Sequence, residues 1–129
     1  MKLLLDTQCW LWMQAEPARL RAEARDLLLD PGNDLFLSAA SSWEIAIKYA
    51  LGKLPLPEPP STYVPSRLRS SGVIGLPIEH AHALHVGTLP PHHRDPFDRL
   101  LIAQAQVEGL PIMTADRTLA LYAVTVVPP

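Results

Sequence analysis

Two rhythms of apolar and polar positions alternate along the chain: short unbroken apolar runs, and longer stretches with apolar residues three and four apart. Lys2-Leu3-Leu4-Leu5 is the first run and predicts a strand buried on both faces. Thr7 to Gln14, carrying Trp10, Leu11 and Trp12, predicts a short helix. Ala18 to Asp30 predicts an amphipathic helix with Leu20, Ala24, Leu27 and Leu28 inward and Arg19, Glu23, Arg25 and Asp26 outward. After the turn Pro31-Gly32-Asn33-Asp34, Leu35 to Ser38 predicts a second buried strand. Ser41 or Ser42 then caps a helix from Trp43 to about Leu51, stopped by Gly52.

Lys53 to Pro60 holds four prolines and reads as a rigid loop. Ser61 to Ser71 predicts a helical segment bent at Pro65. Val73 to Ile78 predicts a third strand, placed near a sheet edge by Pro77. Glu79 to Val86 predicts a short helix, and Thr88 to Arg94 a loop rich in proline and histidine. Asp95 is an N-cap with Pro96 at the first helical position, opening a helix to Glu108 that Gly109 stops. Leu110 to Thr114 predicts a fourth strand, Asp116 to Tyr122 a helical turn or two, and Val124 to Val127 a last strand. Alternating strands and helices of this length imply an α/β fold around a mainly parallel sheet of four to five strands. We expect residues 1–129 to form one domain, a length that supports a core of its own.

Composition narrows the class. With 48% hydrophobic residues the chain is neither a disordered segment nor a tail, and no apolar run reaches membrane-spanning length. The single cysteine, Cys9, excludes an internal disulfide framework and a thiolate zinc site, and we expect a reducing, cytoplasmic setting. No P-loop, dinucleotide fingerprint or nucleophile elbow is present. The net charge of -2 neither favours nor excludes a nucleic-acid partner, because a carboxylate cluster inverts its local field once a cation binds.

The acids carry the candidate chemistry. Asp6 follows the first strand and Asp116 the fourth, so both point into the crevice where ligands of open α/β sheets collect. Glu44 lies in the first turn of the helix after strand two, at the same end. Asp98 shares the inward stripe of Leu101, Ile102 and Ala105, where an unpaired charge is not tolerated. Each has a plainer reading. Asp6 and Asp116 can be helix caps, and Glu44 half of a pair with Lys48 one turn on. Asp95 we read as a cap only. Converging carboxylates repel one another unless a cation joins them, and all-oxygen ligation suits Mg²⁺ or Mn²⁺. A cation held so points to hydrolysis of a phosphodiester. The histidines carry less. His80, His82 and His85 lack the partners of a zinc site, and His92, His93 and Arg94 either touch a phosphate backbone or merely supply loop polarity. Trp10, Trp12 and Trp43 we read as core, any exposed remainder being a protein interface.

Four segments together resemble a PIN domain of the VapC-type toxins of type II toxin–antitoxin pairs. They are Leu4-Leu5-Asp6-Thr7 with Trp12; Ser38 to Lys48 with Leu51-Gly52-Lys53-Leu54; His93 to Arg99 with Ile102-Ala103-Gln104-Ala105; and Thr114-Ala115-Asp116. The resemblance spans essentially the whole chain and implies a three-layer α/β/α fold. It implies a Mg²⁺- or Mn²⁺-dependent endoribonuclease. Asp6 and Asp98 would be the principal metal ligands, and Glu44 and Asp116 would complete the site directly or through water. Thr7, Ser38 and Thr114 would support the acids by hydrogen bonds. Gln8 stands where the subgroup usually has histidine. The resemblance also implies a homodimer and a small cognate antitoxin lying across the helices near the site; the Trp10/Trp12 helix and the Trp43–Leu51 helix are the candidate groove. Lys48, Lys53, Arg94, Arg99 and Arg117 would ring the pocket and bind the RNA. A catalytically idle binding module, or a nuclease acting on DNA, are the rival readings.

Overall fold

A computed structural model describes residues 1–129. Its centre is a sheet of five strands in the order β3-β2-β1-β4-β5. The strands are β1 (Lys2–Leu5), β2 (Asp34–Ser38), β3 (Ile74–Leu76), β4 (Ile112–Met113) and β5 (Val126–Val127). Every neighbouring pair is parallel, with Leu4 opposite Phe36 on one side and Ile112 on the other. The helices are α1 (Thr7–Ala15), α2 (Ala22–Leu29), α3 (Ala39–Ala50), α4 (Pro60–Ser71), α5 (His80–His85) and α6 (Pro96–Glu108). Single 3₁₀ turns at Pro17–Arg19, Val86–Thr88 and Arg117–Leu121 fill the connections.

The pleat explains the layers. Successive strand residues face opposite sides, so one run of leucines feeds two cores. Leu3, Leu5, Leu35, Leu37 and Met113 pack with Trp10, Ala24, Tyr63 and Val64 of α1, α2 and α4. Leu4 and Ile112 pack on the other face with Leu101, Ile102 and Ala105 of α6 and with Leu119. This is the three-layer α/β/α arrangement. Helix α3 joins both layers, Ala40 belonging to one core and Ile45 to the other.

Several boundaries differ from expectation. The helix expected over 18–30 is broken: Leu20 N–H returns to the Pro17 carbonyl, and Arg21 is extended (φ −64°, ψ 156°), so α2 begins only at Ala22. Helix α3 starts earlier than expected. Its cap is Ser38, whose hydroxyl accepts from Ala40 N–H at 3.0 Å, not Ser41 or Ser42. Glu44 therefore sits in the second turn rather than the first. Pro60, expected in the loop, is the first residue of α4. β3, β4 and β5 are shorter than the apolar runs that mark them, and β3 lies at the edge as Pro77 requires. Trp43 is 57% exposed, not core, while Trp10 is fully buried.

Candidate metal centre

The carboxyl ends of β1, β2 and β4 open onto a cleft of about 480 Å³ lined by Asp6, Glu44, Asp95, Asp98 and Asp116, with Thr7 and only Lys48 and Lys53 as cations. A hollow of about 590 Å³ lies at the opposite end of the strands, walled by Pro31, Asp34, Leu35 and Gly72. It is larger, but it gathers no comparable set of groups and sits at the wrong end of the sheet for a ligand.

Each acid is placed by local physics. Asp6 ends β1 and caps α1: its Oδ1 accepts from Cys9 N–H at 2.7 Å. Asp116 caps the 3₁₀ turn after β4, its Oδ1 accepting from Thr118 N–H at 2.9 Å. Asp95 caps α6 through Phe97 and Asp98 N–H, with Pro96 supplying a preset φ at the first position. Asp98 follows one turn in, and Gly109 ends the helix in the left-handed conformation (φ 66°) that its Cβ-free backbone permits. Glu44 is 6% exposed and meets Lys48 Nζ at 2.7 Å. The capping roles and the Glu44–Lys48 pair are thus real, and the same side chains line one cleft.

The electrostatics are those of crowded acids. Burial pushes the Asp6 carboxyl up, against hydrogen bonding from Thr114 and Cys9, and Glu44 adds to the rise. Burial and then the charge of Asp95 raise Asp98 to about 7, with Glu44 and Asp6 adding and His93 opposing. Asp116 goes the other way: hydrogen bonds from His93 and Thr118 outweigh its burial and hold it low. The hydrogen bond to Glu44 raises Lys48. A site whose acids resist ionising together is one that a divalent cation would relieve.

The supporting residues divide. Thr7 donates to Ser41 Oγ at 2.9 Å and ties α1 to α3 beneath the cleft. Thr114 Oγ1 accepts from Asp116 N–H at 3.0 Å. Ser38, fully buried, is occupied as the α3 cap. Of the basic residues, Lys48 and Lys53 line the cleft; Arg94 and Arg117 are exposed outside its lining. Arg99 corrects the sequence reading. Its guanidinium donates to the carbonyls of Val86, Leu89, Pro90 and His93 and to Tyr122 Oη, so it is a clamp on the loop before α6 and not a free cation.

His93, read from the sequence as either a phosphate contact or loop polarity, instead meets two of the acids. Its Nε2 lies 2.8 Å from Asp116 Oδ2 and 3.2 Å from Asp98 Oδ2. These three groups lie within 4.8 Å of one another, a spacing that one ion can bridge. No periodicity marks a loop side chain; the signals were its place two residues before the Asp95 cap and at the head of the segment His93 to Arg99. His82 and His85 instead pin α5 to Glu108 and Gln106 of α6, at 2.8 and 2.7 Å.

Comparison with known proteins agrees with this fold. The family model described as PIN domain matches residues 3–124. Ribonuclease VapC16 of Mycobacterium tuberculosis (strain ATCC 25618 / H37Rv) is 54% identical over 63 residues, 49% of this chain and 45% of that protein, so the match spans under half of that relative's length. Among solved structures, VapBC2 from Rickettsia felis bound to a promoter DNA fragment superposes with a TM-score of 0.75 at 15% identity, over 99% of this chain and 98% of that one. DNA-bound VapBC from Salmonella typhimurium gives 0.73 at 18%, over 99% and 98%. A toxin–antitoxin complex from Klebsiella pneumoniae gives 0.62 at 19%, over 97% and 95%. At these identities the structural likeness is one of fold.

Proposed function

Because this chain belongs to the PIN domain family, we propose that it is a divalent-metal-dependent endoribonuclease serving as the toxin of a type II toxin–antitoxin system. The observation that carries the reading is the cleft itself: acids from four separate segments lining one cleft, with Asp98 pushed to about 7. The similarity to Ribonuclease VapC16 across 49% of the chain supports the choice of RNA. The donor set is all oxygen, which suits Mg²⁺ or Mn²⁺. Asp6 and Asp98 would hold the ion, and Glu44 and Asp116 would complete its shell directly or through water. Bound there, the cation would polarise a phosphoryl oxygen and make water a better nucleophile.

The chain's own groups do the rest. Lys48 and Lys53 stand on the cleft wall, where they would hold the anionic backbone beside the acids. Arg94 and Arg117, exposed farther out, would extend that track. Asp116, hydrogen-bonded at both oxygens, would orient an attacking water. The antitoxin would cover the apolar groove between α1 and the proline loop, where Leu11, Trp12, Leu54, Leu56 and Tyr63 meet. The exposed Trp43 and Ile47 of α3, with Leu51 just past its end, are spaced four residues apart and offer a second apolar face for that partner or for a homodimer. A cytoplasmic setting fits the buried free thiol of Cys9.

The test is cleavage. Partner-free protein is incubated with structured and single-stranded RNAs and DNAs in Mg²⁺, in Mn²⁺ and in EDTA, beside Asp98→Asn. Metal-dependent cleavage of RNA alone, lost in the variant, is expected. Cleavage of DNA as well would shift the substrate class. Cleavage that survives EDTA or the substitution would overturn the proposal.

A further inference from the structure

We propose that His93 is a positioning residue, fixed as an Nε2–H donor that holds Asp116 and Asp98 in place, and that it does not ligate the cation. The inference rests on the metal-site reading above and concerns how the site keeps its acids in order.

Every polar atom of His93 has a partner. Its backbone N–H donates to Tyr122 Oη at 2.7 Å, and its carbonyl accepts from Arg99 at 3.2 Å. Its Nδ1 accepts from Asp95 N–H at 3.0 Å. Its Nε2 reaches Asp116 Oδ2 at 2.8 Å and Asp98 Oδ2 at 3.2 Å. The decisive contact is at Nδ1. A backbone N–H only donates, so the nitrogen facing it must be bare. The ring proton then sits on Nε2, the atom turned to the Asp116 carboxylate, which accepts it at 2.8 Å, with Asp98 at 3.2 Å. To ligate a cation, Nε2 would have to give up that proton. The ring would then carry no proton at all, or carry it at Nδ1, aimed against Asp95 N–H. Proximity to the two acids therefore misleads: the nitrogen is near enough to ligate, but its neighbours select the other tautomer.

The same contacts explain what the loop before α6 is for. Tyr122 donates to the Pro90 carbonyl at 2.9 Å, and Arg99 gathers four carbonyls around that point. The loop is thereby held so that the ring's edge meets Asp116, whose other oxygen is held by Thr118 N–H. Although the Asp116 side chain is 39% exposed, it is gripped from both sides. Partners of this kind typically change metal affinity by about 10- to 100-fold when removed.

Two measurements on the whole chain test the inference. Nitrogen-15 NMR reads the ring tautomer directly, with and without Mg²⁺. The expected spectrum shows His93 protonated at Nε2 and bare at Nδ1 in both conditions. A proton on Nδ1, or loss of the Nε2 proton on adding Mg²⁺, overturns the inference. Calorimetry then compares Mg²⁺ binding by the wild type, His93→Gln and His93→Ala. Glutamine still offers an N–H near the Nε2 position, so it should bind within a few-fold of wild type, while alanine should lose about 10- to 100-fold. Glutamine falling as far as alanine, or alanine binding normally, overturns the positioning role. If the wild type itself binds neither Mg²⁺ nor Mn²⁺, the metal-site reading fails and takes the role with it. That outcome is told apart from the others because it appears without any substitution.

Discussion

Asp98→Asn should make the metal-free domain more stable while removing its response to a divalent cation. In the folded protein the Asp98 carboxyl titrates near 7 instead of 3.8, chiefly through burial and the charge of Asp95. The native state therefore keeps this proton over a range in which the unfolded chain has lost it, and stability falls as pH rises from about 4 to about 7. A shift of roughly three units, at ~1.4 kcal/mol each, sets a ceiling of about 4 kcal/mol. The side chain is 25% exposed, and solvent screening reduces the effect, so we expect a gain of about 1–2 kcal/mol at pH 8. That is roughly 3–8 °C in Tm for a domain of this size. At pH 5 the gain should shrink to roughly a third, since most of the penalty has yet to develop. Adding Mg²⁺ should raise the wild-type Tm and leave the variant unmoved, because only a protein that binds the ion is stabilised by it. Urea and thermal denaturation at both pH values, with Mg²⁺ or EDTA, read all of this. An equal gain at both pH values, a loss at pH 8, or full Mg²⁺ stabilisation of the variant would refute the reasoning.

Other perturbations separate the parts of the account. Asp95→Asn keeps a capping oxygen but removes the second-largest cause of the Asp98 rise, so the Asp98 pKa followed by NMR should drop; Asp95→Ala should also cost about 1 kcal/mol of stability through the lost cap. Lys53→Ala should weaken RNA binding and lower its salt slope by about one, measured by fluorescence anisotropy across a salt series. Arg99→Ala should leave that slope unchanged and instead lower the Tm, because it unclamps the loop that carries His93. Leu5→Ala, at a fully buried position beside Asp6, should cost about 2–5 kcal/mol in urea denaturation.

Much of the architecture is legible in the residues because it follows from burial. A run such as Leu3-Leu4-Leu5 can be satisfied only by a strand covered on both faces, and the inward stripe of Leu101, Ile102 and Ala105 fixes the face of α6. From there, topology puts Asp6 and Asp116 at one end of the sheet. The misreadings lie where hydrogen bonds outside any periodic pattern decide. Ser38 is the cap rather than Ser41 or Ser42 because β2 ends on it and α3 begins at the next residue, while Ser41 accepts from Thr7. Leu20 is buried as its spacing suggests, but its N–H returns to the Pro17 carbonyl and Arg21 is extended, which breaks the helix there. Arg99 and His93 escaped for one reason: their roles are set by loop carbonyls and a backbone N–H, which leave no trace in composition. The capping and metal-holding readings of Asp6 and Asp116, opposed in the sequence, do not exclude each other, since each carboxylate uses only Oδ1 for its cap and the Oδ2 of Asp116 meets His93.

The central claim is that these carboxylates together form a divalent-cation site. It is tested most directly by soaking crystals of the protein in Mn²⁺ and collecting anomalous diffraction. The account predicts a strong peak within ligand distance of the Asp6 and Asp98 carboxylates, with Glu44 and Asp116 around it and His93 still hydrogen-bonded to Asp116. A cleft with no anomalous density at saturating Mn²⁺, or an ion bound elsewhere while the acids stay apart, would contradict it.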